Sequence, residues 1–203
     1  MNTINYDREM QKIIKELNGS KKKLLLHSCC APCSSTCIEQ LKEVFDLTIY
    51  YYNPNLDSLE EFSKRAIEQE RLCKEMHVNC IVEDYGKEEF YSVVKGYEHL
   101  LEGDKRCFRC FELRLDKTAV KGVELGFDYF ATTLTLSPLK NAEKLNQIGM
   151  KIEEKRNIKY LPSDFKKRSG FKRSIELSRE YDLYRQSYCG CEFSKGNIPS
   201  RKD

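Results

Sequence analysis

The sequence predicts an α/β protein in which a parallel sheet carries helices on both faces. Two observations predict it. Short apolar runs of strand length alternate along the chain with longer stretches whose apolar residues recur at helical spacing. The 203 residues also contain no internal repeat, low-complexity segment or linker, so a single α/β catalytic domain over 1–203 is expected, large enough to bury a sizeable core.

Met10, Ile13, Ile14 and Leu17 share one face of a helix over about 5–18, which Gly19 stops. Lys23–His27 is a buried strand that opens into Ser28-Cys29-Cys30-Ala31-Pro32-Cys33, and residues 34–44 return to a helical pattern. Leu47–Tyr52 is a second strand, ended by the turn residues Asn53-Pro54-Asn55. A charged helix follows over about 58–77, then a third strand at Asn79–Val82 and helical stretches at 87–101 and 109–125. Phe127–Thr133 is a fourth strand, 138–155 a helix, Ile158–Leu161 a fifth strand and 170–183 the last helix. The tail from Tyr184 has little periodicity.

In parallel sheets of this kind ligands gather beyond the carboxyl ends of the strands. Cys29 and Cys30 follow the first strand, Asn53-Pro54 the second, Ser137-Pro138 the fourth and Asp164 the fifth, which puts them along one edge. Ser137 with Pro138 reads as the start of a helix whose free amides suit an anion or a substrate hydroxyl, and Lys140 is placed to hold a phosphate or the substrate ring.

Hydrophobic residues make up 40% of the chain and charged residues 33%, as in a globular protein with a heavily solvated surface. No apolar run approaches the length of a membrane span, and the first residues lack the layout of a secretion signal, so a cytoplasmic protein with no membrane partner is expected. The net charge of +3 is too small to demand a polyanion. Lys166-Lys167-Arg168 and Lys172-Arg173 nevertheless place five positive charges within eight residues, and Arg201-Lys202 add two near the end. Such a block is either a solvated face or a phosphate-contacting patch. Tyr50, Tyr51 and Tyr52 read as strand filler more readily than as a base-stacking surface.

Ten cysteines in a reducing compartment point to metal binding or redox chemistry rather than to disulfides. Cys107-Phe108-Arg109-Cys110 has the gap that lets two thiolates converge on one metal. With Cys29 and Cys30 they complete the ligand set of a [4Fe–4S] cluster. Structural zinc is the alternative, against which stand the surplus of cysteines and the adjacent Cys29-Cys30. Cys30-Ala31-Pro32-Cys33 also matches a metal-free dithiol motif at a helix N-terminus. Cys189-Gly190-Cys191 fits either a labile disulfide or a pair of ligands. Cys73, Cys80 and Cys37 are assigned to packing, and His27 to a structural hydrogen bond.

Taken in order, His27-x-Cys29-Cys30-Ala31-Pro32-Cys33, Arg106-Cys107-x-x-Cys110-Phe111-x-Leu113-Arg114, Thr132-Thr133-Leu134-x-x-Ser137-Pro138-x-Lys140, Asp164-Phe165-Lys166-Lys167 and Tyr184-x-Gln186-x-Tyr188-Cys189-Gly190-Cys191 resemble the QueH-type epoxyqueuosine reductases. Phe111 stands where the family pattern has a tyrosine. The resemblance implies a Rossmann-like fold related to the adenine-nucleotide alpha-hydrolase (HUP) group, with a cysteine-containing C-terminal tail. It implies two-electron reduction of epoxyqueuosine to queuosine at the wobble position of tRNA, with a [4Fe–4S] cluster and an external electron donor. Ser28–Cys33 occupies the place of that group's glycine-rich pyrophosphate loop, so ATP activation is not expected.

On this reading Cys29, Cys30, Cys107 and Cys110 hold the cluster and Cys189 and Cys191 are a redox-active pair. Cys33, with Cys189, Cys191 and Asp164, would take an additional iron ion if one is bound. Asp164 and Tyr188 are the candidate acids, and Ser137, Lys140, Lys166, Lys167 and Arg168 would bind the tRNA carrying epoxyqueuosine. A metal-free thiol–disulfide oxidoreductase and a zinc-dependent nucleic-acid-binding module are the competing functions.

Overall fold

Leu24, Leu25 and Leu26 are three consecutive apolar residues, all fully buried, which requires a strand covered on both faces. Each contributes about 1.5–3 kcal/mol by leaving water. The computed structural model, which describes residues 4–186 and 188–194, places them at the centre of a five-stranded parallel sheet.

The elements run α1 (Tyr6–Glu16), β1 (Lys22–Ser28), α2 (Ala31–Leu41), β2 (Phe45–Tyr51), α3 (Leu59–Glu75), β3 (Asn79–Val82), α4 (Lys87–Val94) and α5 (Lys105–Glu124). They continue with β4 (Tyr129–Thr132), a 3₁₀ turn (Thr133–Leu136), α6 (Ala142–Lys155), β5 (Lys159–Tyr160), α7 (Gly170–Glu180) and a last 3₁₀ turn (Glu192–Ser194). The strand order is β3-β2-β1-β4-β5. The chain reverses its direction of travel across the sheet between β1 and β4, and the crevice above their carboxyl ends is the place such sheets offer a ligand.

Alternation along the strands assigns the two faces. Leu24 and Leu26 join Met10, Ile38, Leu41, Ile49, Leu72 and Phe165 in one core, under α1, α2 and α3. Leu25 instead packs with Tyr50 and Tyr52, and Phe130 with Leu115, Leu134, Leu145 and Ile152 under α5 and α6. Gly149 of α6 lies so close to the Tyr160 ring that any β-carbon there would collide with it.

Four helix boundaries differ from expectation, each for a local reason. Cys30 is extended and precedes a first turn containing Pro32, so α2 begins at Ala31 rather than at 34. Asp104 caps α5 by accepting from the Lys105 amide at 2.7 Å, so this helix begins ahead of the expected 109 and the Cys107–Cys110 pair lies on it. The stretch expected as helix over 87–101 ends at Val94, ahead of Gly96 with its positive φ of 83°. Ser137 is not the cap of α6, as expected. Asn141 takes that role, its side chain accepting from the Lys144 amide at 2.9 Å, while Ser137 Oγ accepts from Leu139 N at 3.3 Å.

Candidate metal centre

The end of β1 delivers three sulfur atoms to the crevice. Cys29, Cys30 and Cys33 hold their Sγ atoms within 4.8 Å of one another, with Cys29 and Cys30 3.7 Å apart. Strand geometry sends neighbouring side chains to opposite faces, but Cys30 has left the strand to cap α2, so its thiol turns back toward that of Cys29. Cys29 is tied across the crevice to the segment after β4. Its amide donates to Thr133 Oγ1 at 3.4 Å, and its sulfur lies 3.8 Å from the same oxygen. Gln186, from the C-terminal limb, donates from Nε2 to Cys30 Sγ at 2.9 Å.

Hydrogen bonding within the trio favours the thiolate of Cys29 over those of Cys30 and Cys33. Hydrogen bonds from the Cys30 and Cys33 thiols hold the Cys29 pKa well below the ordinary value, with Lys140 and Arg114 assisting against burial. The same bonds raise the pKa of the partners: Cys30 is pushed up to about 12 and Cys33 also rises.

Cationic side chains surround the sulfur. Arg114 is 1% exposed and has no carboxylate partner among the described residues. Its Nε donates to His27 Nε2 at 3.1 Å and an Nη donates to Asn53 Oδ1. His27 Nδ1 faces Thr132 Oγ1 at 3.0 Å, and Nε2 also lies 3.1 Å from the Tyr52 carbonyl. Burial and the adjacent guanidinium lower the His27 pKa to about 3, so the ring stays neutral. Lys140 is held protonated: burial opposes its charge, but Cys189, Cys29 and Cys33 raise its pKa. Arg65, 2% exposed, pairs with Glu61 at 2.6 Å and donates to the Cys189 carbonyl at 3.4 Å. An uncompensated buried cation costs several kcal/mol. Buried Arg114 and half-buried Lys140 would both be compensated by an anionic group at the sulfur trio.

A second sulfur set borders the first. Cys107 and Cys29 pack against the same apolar cluster around Phe111 and Leu134, whereas Cys110 and Cys191 pack with Phe90 and Val94. Cys107 and Cys110 stand outside the tight trio, but both sense Cys189 electrostatically. Burial pushes Cys110 up to about 11 and Cys191 to about 12. The Cys189–Cys191 limb is held by Gly190. Its φ of 100° is a left-handed conformation that favours glycine, and an added β-carbon would strike Leu56 and lie 3.1 Å from the Arg65 guanidinium. The Gly190 carbonyl accepts from Asp57 N at 2.9 Å. Thiolates with buried cations and no carboxylate among the trio are a donor set that fits an anionic iron–sulfur cluster.

The other expected residues divide. Tyr188 donates from its hydroxyl to Asp57 at 3.2 Å; burial and then Asp57 raise its pKa. Asp164 Oδ1 lies 2.9 Å from Lys166 Nζ and outside the sulfur trio, and Lys166 also donates to the Thr135 carbonyl at 2.9 Å. Arg168 pairs with Asp7 at 2.9 Å and Arg173 with Glu39 at 2.7 Å, so much of the basic run is neutralised within the molecule. Lys167 and Lys172 are exposed, and Arg201 and Lys202 lie outside the described residues. Tyr50, Tyr51 and Tyr52 are core, as are Cys37 and Cys73, with Cys80 packed beside them. Sequence reasoning gave no separate role to Arg65, Arg114 or Asn53. A charged residue at a helical core position was the available signal for Arg65 and Arg114.

A family model described as "Epoxyqueuosine reductase QueH" matches residues 24–197. A protein of that name from Streptococcus pyogenes serotype M1 is 44% identical over 199 residues, covering 94% of this chain and 78% of the relative. Another from Staphylococcus epidermidis is 43% identical over 201 residues, covering 94% and 84%. A third, from Thermotoga maritima, is 38% identical over 174 residues, covering 84% and 89%. Among solved structures, the U34-tRNA thiolase NcsA from Methanococcus maripaludis with its [4Fe-4S] cluster superposes with a TM-score of 0.53 at 13% identity. That match covers 88% of this chain and 64% of the thiolase, and it shows a shared fold.

Proposed function

The chain belongs to the QueH epoxyqueuosine reductase family, and on that premise we propose that it reduces the epoxide of epoxyqueuosine in tRNA to the alkene of queuosine. We assign Cys29, Cys30, Cys107 and Cys110 to a [4Fe–4S] cluster, which when bound supplies electrons singly. The observation that carries this reading is the sulfur trio at the β1–β4 crevice, beside buried Arg114 and half-buried Lys140.

The chemistry balances on the chain's own thiols. Conversion of an epoxide to an alkene and water consumes two electrons and two protons. Oxidation of the Cys189 and Cys191 thiols to one disulfide releases the same, and an external donor then reduces the disulfide. Lys140, a protonated amine near Cys29, stabilises negative charge on the departing oxygen. Tyr188 keeps its phenolic proton at neutral pH and can deliver it. Arg114 acts through His27 and Asn53, fixing the ends of β1 and β2. A further iron would draw on Cys33 with the Cys189–Cys191 limb; Asp164 would first have to leave Lys166.

Among the described residues no helix is long and apolar enough to cross a membrane, and we place the protein with its tRNA in the cytoplasm. Anaerobic purification followed by iron, sulfide and zinc analysis, then turnover of epoxyqueuosine-containing tRNA with a reductant, tests the reading. Iron with matching sulfide and queuosine formation are expected, and iron beyond the cluster's complement would support the additional ion. Full turnover by metal-free protein, or zinc in place of iron, would overturn it.

A further inference from the structure

Beside the sulfur site, α5 and α6 enclose a groove of about 380 Å³ whose charge is one-sided. Lys105 and Arg109 line it from α5, Lys144, Lys151 and Lys155 from α6, and Glu112 is the one acid among its lining residues. None of these five cations has a carboxylate partner among the described residues, in contrast to Lys166, Arg168 and Arg173. Five unneutralised positive charges repel one another unless an anion lies between them.

The groove also carries aromatic surface. Lys144 sits over the Phe108 ring at 5.3 Å and Arg109 over the Tyr97 ring at 5.6 Å. A positive track with ring faces is how proteins hold a single nucleic-acid strand without reading its sequence. From Lys144 to Lys155 the helix rises about 16 Å, enough for several consecutive phosphates. The near end adjoins the chemistry. Phe108 lies within the Cys107–Cys110 pair and packs on the same apolar cluster as Cys29 and Cys107.

We propose that this groove binds the phosphate backbone of the substrate RNA strand, leading the target nucleotide to the sulfur site. The inference rests on the reductase reading for its substrate, and it moves the main grip from the 166–173 run to the α5–α6 walls.

The test measures binding of an unmodified tRNA transcript to anaerobically purified holoenzyme across a range of salt concentrations. The double variant Lys144→Gln with Lys151→Gln should bind at least about tenfold more weakly, with the salt slope reduced by about 1.4 for two lost phosphate contacts. Lys105→Gln with Arg109→Gln, on the opposite wall, should do the same if the first variant folds poorly. Lys144→Arg with Lys151→Arg should retain affinity, as should Lys12→Gln with Lys15→Gln on α1. Wild-type affinity and slope in both folded groove variants would overturn the proposal. So would weakening confined to Lys167→Gln with Lys172→Gln, or no binding by the wild type. Wild-type turnover is scored separately. Groove-dependent binding without epoxide reduction would sink the reductase reading and leave the groove standing.

Discussion

Arg114 joins the sulfur site to the sheet. Its guanidinium touches His27 and Asn53, at the ends of two neighbouring strands, and its charge faces Cys29 and Cys110. Arg114→Met keeps an apolar stem but strips the charge and leaves two buried polar groups short of a donor, each costing about 1–3 kcal/mol. Iron bound after anaerobic reconstitution should fall by more than half, whereas Arg114→Lys should keep the iron and lose only stability. Full iron in Arg114→Met would show that the thiolates need no buried counter-charge. Gly190→Ala places a β-carbon against Leu56 at a φ of 100°. It should cost about 1–3 kcal/mol and cut turnover at least tenfold while iron content stays at the wild-type level. Wild-type turnover would detach the Cys189–Cys191 limb from the reaction. The cysteines were legible in the sequence because their spacing is itself chemical information. The Arg114–His27 contact was not, since it joins residues 87 apart and only the folded sheet brings them together.

Helix starts place the cysteines proposed as ligands, and they were the least legible part of the fold. Alternation of strands and helices was readable because both faces of the sheet's centre are buried, which gives β1, β2 and β4 short, largely apolar runs. Asp104 as a cap was hidden, because Asp is equally at home in a loop; Ser137-Pro138 looked like a cap and is a turn. Asp104→Ala should cost about 1 kcal/mol and, by fraying the first turn of α5 where Cys107 sits, speed loss of iron to a chelator. An unchanged rate would mean that this turn is held by its sulfur contacts instead. At the sheet's edge, the Tyr50 hydroxyl at the end of β2 donates to Glu83 at 2.7 Å, just beyond β3. Burial raises the Glu83 pKa, but Tyr50 and Lys121 together hold it below the ordinary 4.5. A folded-state pKa below the unfolded one gives stability that is present above pH 4.5 and lost as pH falls through the folded value. Glu83→Gln should therefore be less stable than wild type at pH 7, and the gap in denaturant midpoint should close on acidification. A gap independent of pH would assign the loss to packing alone.

Over the whole molecule, charge is sorted. The 166–173 run is largely paired with acids on its own side, and the α5–α6 groove keeps its positive charge for something outside the chain. Between them, the end of β1 and the start of α2 gather the Cys29, Cys30 and Cys33 sulfurs near Arg114, which no carboxylate balances among the described residues, and the proposed cluster would join them to α5. Iron and sulfide determination on anaerobically purified wild type, Cys29→Ser and Cys107→Ser probes that convergence. Both variants should lose most of their iron, because one cofactor needs thiolates from both stretches. Undiminished iron in folded Cys107→Ser would mean that β1 and α5 do not share a cofactor.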